Sequence, residues 1–286
     1  MSIVVTGATG HLGRLVIEAL LAADVPADGI AAVVRNKEKA ANLVASGVEL
    51  RVADYDDPAS LKGVFRAGDR VLLISGNEPG KRAAQHGAVI DAAKAAGVAQ
   101  LAYTGVLGGP DADFDLADEH RVTERLILES GLPYTFLRHG WYTENYTDNL
   151  APVLANDAVL AAAGEGRVSS ATRADYAAAD AAVLTGEGHL NKAYELSGDT
   201  AWSFAEYAAE LSRQTGRTIA YTNVPAETLR GILAGAGVPE PMPAILADVD
   251  TAIERGRLAG TSGDLARLAG RPTTPLADTI AEALKS

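Results

Sequence analysis

Seven residues near the start of the chain could hold a phosphate. Gly7-Ala8-Thr9-Gly10-His11-Leu12-Gly13 carries glycine at every third position. That spacing allows a tight turn and lets a diphosphate approach the backbone. A helix opening at the same point offers free N–H groups and its positive dipole end. Arg35 stands 22 residues beyond Gly13, at the end of a predicted second strand. An acidic residue there would hold the ribose hydroxyl of NAD, whereas arginine accommodates the extra phosphate of NADP. Asn36 and Lys37 add donors beside it. Asp54, after the third predicted strand, could accept a bond from the adenine amino group, or it could cap a turn or helix. Ser75-Gly76-Asn77 follows the fourth predicted strand. The carboxyl ends of parallel strands face the ligand crevice, so this loop is expected to run along the cofactor.

These residues need strands and helices to bring them together. Short β-branched runs are predicted as strands at 3–6, 30–34, 48–52, 71–75, 101–104 and 134–137. Leu12, Leu15, Val16, Ala19 and Leu20 have helical spacing, and a second helix is expected from about Lys81 to Ala96. The strands read as continuously apolar, which suits a parallel sheet covered on both faces. The fold class is therefore α/β, a Rossmann-type doubly wound parallel sheet. Thr172-Arg173-Ala174-Asp175 has the form of a capping box ahead of an alanine-rich helix at 176–184, and 192–196 reads as one more strand. The expected division is a dinucleotide-binding domain of 1–150 plus about 172–200. A smaller, mainly helical cap takes about 151–171 plus 201–286.

Composition narrows the classes. The 286 residues hold 25 Lys+Arg against 37 Asp+Glu, a net charge of −12, and Cys 0. No thiolate nucleophile, disulfide or Cys-based metal site can form, and a reducing cytoplasm is the expected setting. The acidic balance disfavours nucleic acid and anionic membranes as partners. No apolar run approaches the roughly 18 residues needed to span a bilayer. With no charged leader ahead of Ile3, the first strand is expected to open the mature protein. The histidines at 11, 86, 120, 139 and 189 show no H-E-x-x-H spacing, so no metal is expected. The aspartates at 111, 113 and 115 mimic the start of a calcium loop, but Leu116 and Val122 stand where Gly and Glu are required.

Several separated blocks together resemble one family. They are GATGHLG at 7–13, AVVRN at 32–36, ADYDD at 53–57, LLISG at 72–76, LADEH at 116–120, LRHGWYTENY at 137–146 and SATRADYAAA at 170–179. The chain resembles the NmrA-like branch of the atypical short-chain dehydrogenases, its quinone-reductase members above all. The resemblance implies bound NADPH and hydride transfer to quinones or related electron-poor planar acceptors. It also implies cofactor contacts at Gly7, Ala8, Thr9, Gly10, His11, Leu12, Arg35, Ser75, Gly76 and Asn77. Further contacts are implied along His139, Gly140, Trp141, Tyr142, Thr143 and Glu144. At His139 the chain departs from the family pattern, which has Asn.

One familiar pair is missing. Typical short-chain dehydrogenases use Tyr-x-x-x-Lys, in which lysine lowers the tyrosine pKa for proton transfer. None of the nine tyrosines has Lys four residues on. A quinone can take hydride directly and receive its proton from water or a nearby histidine, so that positioning supplies most of the catalysis. His120, at the start of a predicted helix after strand five, is the candidate proton donor, because an unperturbed imidazole exchanges protons near neutral pH. Tyr103 and Thr104, at the end of that strand, are candidate pocket residues. Trp141, Tyr142, Asn145 and Tyr146 could wall a planar acceptor held between the two domains, or could simply pack. The leading expectation is a reductase. The competing one is a non-catalytic redox sensor that binds the same cofactor and signals to a protein partner. A homodimer, the commonest oligomer, is compatible with either.

Overall fold

The computed structural model describes residues 1–285. Among them the chain divides into two compact units. Residues 1–109, 119–139 and 173–195 make the first; 110–118, 140–172 and 196 onward make the second.

The first unit is built on a seven-stranded sheet. Its strands are β1 (Ile3–Val5), β2 (Ile30–Val34), β3 (Glu49–Val52), β4 (Arg70–Leu73), β5 (Gln100–Val106), β6 (Tyr134–His139) and β7 (Lys192–Leu196). They lie in the order β3-β2-β1-β4-β5-β6-β7. Every pairing among β1 to β6 is parallel. This is the Rossmann order expected from the sequence. The direction of winding reverses between β1 and β4, and ligands of such sheets bind beyond the strand ends at that point. Val5 pairs with both Ala32 and Leu72, so the segments leaving β1, β2 and β4 emerge along one edge.

Helices cover both faces, which is why the strands need no polar side. They are α1 (His11–Ala22), α2 (Ala41–Ala45), α3 (Arg82–Ala96), α4 (Ala117–Ser130) and α5 (Arg173–Thr185). α1 packs against α5. Val89, Ile90 and Ala93 of α3 and Ile127 of α4 join Val4, Val33, Val71 and Leu101 in one buried cluster. Each Val, Leu or Ile side chain so buried contributes about 1.5–3 kcal/mol. β3 departs from the continuously apolar pattern. It is an edge strand, Val52 is exposed, and Arg51 is buried in ion pairs with Asp69 at 2.8 Å and Glu49 at 2.9 Å.

The second unit is helical toward the C-terminus, with helices at Phe204–Thr215, Ala226–Gly235, Met242–Glu254, Asp264–Ala269 and Leu276–Ala283. The first opens on a capping box, in which Ser203 Oγ accepts from the Glu206 N–H while the Glu206 carboxylate accepts from the Ser203 N–H. Two small pairings are additions to the sequence reading. Ala158–Ala161 runs parallel to Ala220–Asn223, and Arg167–Val168 runs antiparallel to Trp202–Ser203. Their short, alanine-rich or two-residue runs carry no period that would mark a strand. Among the described residues no helix is long and apolar enough to cross a membrane.

One contact fixes where α1 meets the sheet. A Cβ at Gly13 would lie 2.4 Å from the Gly7 carbonyl oxygen and 2.8 Å from Ala8 Cα. Because both neighbours are backbone, neither can turn aside. Gly13→Ala is expected to destabilise the protein by about 1–3 kcal/mol, read from denaturant unfolding. An unchanged midpoint would mean that the helix and turn are not this close.

Candidate active site

The turn after β1 is shaped for an anion. Gly7 takes a left-handed φ of +58°, and the Gly10 N–H donates to the Gly7 carbonyl at 2.9 Å. Gly10 is the N-cap of α1, no side chain caps the helix, and its first turn holds no acidic residue. The amides and the positive end of the helix dipole are therefore left for an outside partner. Gly7, Gly10 and His11 are exposed, whereas the side chains of Ala8 and Leu12 are buried in the core. These two can serve an anion only through their backbone.

Arg35 leaves the end of β2 as an exposed cation, its Nη1 3.3 Å from Glu78 Oε1. Asp54 is corrected. Its carboxylate accepts from the Asp56 N–H at 3.0 Å, its own N–H donates to Ser60 Oγ, and its carbonyl accepts from the Ser60 hydroxyl. It holds a turn. The next residue, Tyr55, packs against the buried cluster that holds Val4, Val33 and Leu61, and burial pushes its hydroxyl up to about 12.

The loop after β4 is pinned amide by amide. The Ile74 N–H donates to Thr6 Oγ1 at 3.0 Å, the Ser75 N–H to Thr104 Oγ1 at 2.9 Å, and the Gly76 N–H to His86 Nε2 at 3.0 Å. Arg82 Nε donates back to the Gly76 carbonyl at 2.6 Å. Thr104 is thus a positioning side chain rather than an open pocket wall. His86, unassigned from sequence, is its counterpart on α3. Since Nε2 accepts, the ring proton stands on Nδ1, which meets Thr123 Oγ1 at 2.9 Å; that hydroxyl donates to the Glu119 carbonyl. Burial, helped by Arg82, pulls His86 down to about 4.

His120 does not have the titration assumed for it. It is 6% exposed, and its Nδ1 lies 2.7 Å from the hydroxyl of Tyr103, which is fully buried. Burial, then the charges of Arg82, His86 and His139, holds its pKa well below the usual imidazole range. Burial likewise pushes the Tyr103 hydroxyl up. At neutral pH both groups are uncharged, and the pair is a hydrogen bond rather than an acid in waiting.

The side chain of His139 points into the core. Its ring is buried, stacks on Tyr176 at 4.5 Å, and places Nε2 3.0 Å from Asp180 Oδ1. The side chain is committed to α5. Within the second unit, Thr143 is buried against Ser170 Oγ at 2.8 Å, and Tyr142 bridges to Ala171. The ring of Tyr146 packs edge-on to Trp202 at 5.0 Å and to Phe204 at 5.4 Å. Trp141, Tyr142 and Glu144 are half-buried, Gly140 partly so, and Asn145 is exposed. Tyr134 and Arg138, spaced like the missing catalytic pair, form none: Arg138 is gripped by Glu124 and Glu195, each at 2.8 Å. Among the described residues no cluster could hold a metal.

His86 yields a pH signature. Its pKa is lower in the folded chain than the 6.5 of a free imidazole, so the unfolded chain binds the extra proton. The stability this neutral ring contributes is present above pH 6.5 and is lost as pH falls through about 4. His86→Gln keeps an acceptor for Gly76. It is expected to lose about 2–3 kcal/mol less than the parent over that window, measured by urea unfolding at each pH. Parallel losses in the two proteins would remove His86 as the cause.

With this geometry in place, three likenesses bear on it. The chain is 46% identical over 278 residues to quinone oxidoreductase 2 of Escherichia coli (strain K12), covering 97% of each chain. Its fold matches the E. coli NADPH-dependent quinone oxidoreductase complexed with NADPH, with a TM-score of 0.96, 45% identity and 99% of each chain covered. It matches triphenylmethane reductase of Citrobacter sp. with a TM-score of 0.94, 42% identity and 100% of each chain covered. The model of the NmrA-like family matches residues 1–255, and the chain belongs to that family.

Proposed function

We propose that this protein is an NADPH-dependent reductase that transfers hydride to quinones or related electron-poor planar acceptors. The observation that carries the reading is an uncapped, glycine-lined helix start with Arg35 beside it. It occurs in a chain alike from end to end to an NADPH-bound quinone oxidoreductase. The residues fit the cofactor. The amides at the start of α1 suit the diphosphate. Arg35 suits the 2′-phosphate. The pinned loop 74–77 gives the remainder of the nucleotide a rigid edge to lie along. The competing reading as a redox sensor has no feature of its own in its favour.

Bound NADPH supplies the hydride, and the acceptor gains that hydride and one proton. The chain's part is to bind, orient and exclude. Thr6, Thr104 and His86 hold the loop so that no reorganisation is needed when the reactants meet. Tyr103 and His120 stay neutral and keep their protons at pH 7, so the proton comes from water. The half-buried rings of Trp141 and Tyr142 offer flat apolar surface of the kind on which a planar acceptor stacks. A substrate that needs a strong acid at its carbonyl is poorly served here. A quinone, whose reduced form is a stabilised anion, needs none.

Steady oxidation of one NADPH per added 1,4-benzoquinone is the expected result, and folded protein that binds NADPH without turning it over would contradict the reading. Arg35→Ala should weaken NADPH binding at least about tenfold and leave NADH binding nearly unchanged, by fluorescence titration; equal losses would remove Arg35 from its role. The pH profiles of kcat for the parent and His120→Gln should share one shape between pH 6.5 and 8. An inflection present only in the parent would restore His120 as the proton donor.

A further inference from the structure

The carboxylate facing Arg35 belongs to a built arrangement. Glu78 stands in the loop after β4, between two fixed points: Gly76, whose N–H and carbonyl are both engaged, and Gly80, whose N–H donates to Glu119 Oε1 at 3.1 Å. The Lys81 N–H donates to the Glu78 carbonyl at 3.2 Å. These bonds hold the backbone on either side of Glu78. Its Oε1 meets Arg35 Nη1 at 3.3 Å and Oε2 meets Lys81 Nζ at 3.0 Å. Lys81 is in turn 3.3 Å from Asp56 Oδ2. Two cations from different strand connections thus converge on a single anion position, one on each oxygen.

A phosphate monoester seeks the same guanidinium through charge-assisted hydrogen bonds. A carboxylate and a dianionic phosphate cannot share Arg35 without repulsion at close range. We infer that Glu78 is an internal competitor for the 2′-phosphate of NADPH at Arg35, and that Lys81 is the cation to which its carboxylate retreats when the phosphate arrives. The inference rests on the reading of Arg35 as the 2′-phosphate residue. Its consequence is that Glu78 lowers affinity for phosphorylated nucleotides selectively. A nucleotide without the 2′-phosphate leaves the Arg35–Glu78 pair intact. Glu78 therefore sets how strongly NADPH is preferred over NADH, a role that the motif reading gave to Arg35 and the donors beside it.

The test is calorimetric titration of the full chain with adenosine 2′,5′-bisphosphate and with AMP, which differ only in the 2′-phosphate. Glu78→Gln and Glu78→Ala are each expected to tighten the bisphosphate about two- to fivefold, the range for an exposed ion pair, with AMP unchanged. In an Arg35→Ala background that gain should vanish, because the contested cation is gone. A gain in Glu78→Gln alone would mean a new amide hydrogen bond and would overturn the competition. So would unchanged or weaker bisphosphate binding in both Glu78 variants while Arg35→Ala still weakens it relative to AMP; the role of Arg35 would then survive. If Arg35→Ala weakens both ligands equally, the reading of Arg35 fails, and the competitor with it.

Discussion

The first turn of α1 presses against the Gly7 carbonyl with no space for a Cβ, and no side chain among the described residues caps it. A helix start left open costs stability unless something satisfies its amides. Here the open end lies at the carboxyl edge of the sheet, beside the point where the strand order reverses. The rest of the first unit follows from that constraint. Glycine is required at 13 so that helix and turn can touch, β1 must be apolar on both faces to bury the junction, and the loop after β4 must lie close without intruding.

That last requirement explains the buried polar residues. Beyond Leu73 the backbone has left the sheet, and its N–H groups would be orphaned. Thr6, Thr104 and His86 take one each, from β1's end, β5 and α3. The loop is therefore rigid by hydrogen bonding rather than by packing. The price is a histidine and two threonines in the core; the histidine must itself be satisfied, which is why Thr123 and the Glu119 carbonyl continue the chain of bonds. His120 and Tyr103 lie beside this chain as a second neutral pair.

Much of this was legible in the sequence because it depends on local rules. Continuous β-branched runs gave β1, β2 and β4 to β6, and the glycine triplet with Arg35 gave the candidate anion sites. The NmrA-like pattern added the reductase reading. What was not legible depends on side chains meeting across the sheet. Asp54 and Tyr55 are neighbours, and only the turn's own hydrogen bonds show which one points inward. His86 carries no motif, since its role is to receive an amide from a loop ten residues earlier. His120 looked like an acid because isolated histidine titrates near neutrality; burial reverses that. His139 stood in a family block as a cofactor contact, yet Asp180 and Tyr176, distant in sequence, claim its ring.

The central claim is that the open start of α1 receives the cofactor's diphosphate. Backbone amide NMR of the labelled protein during titration with NADPH tests it most directly. The expected result is that the largest shifts fall on the amides of the 7–13 turn, ahead of those in the second unit. If NADPH binds while these amides stay still, the diphosphate lies elsewhere and the account is wrong.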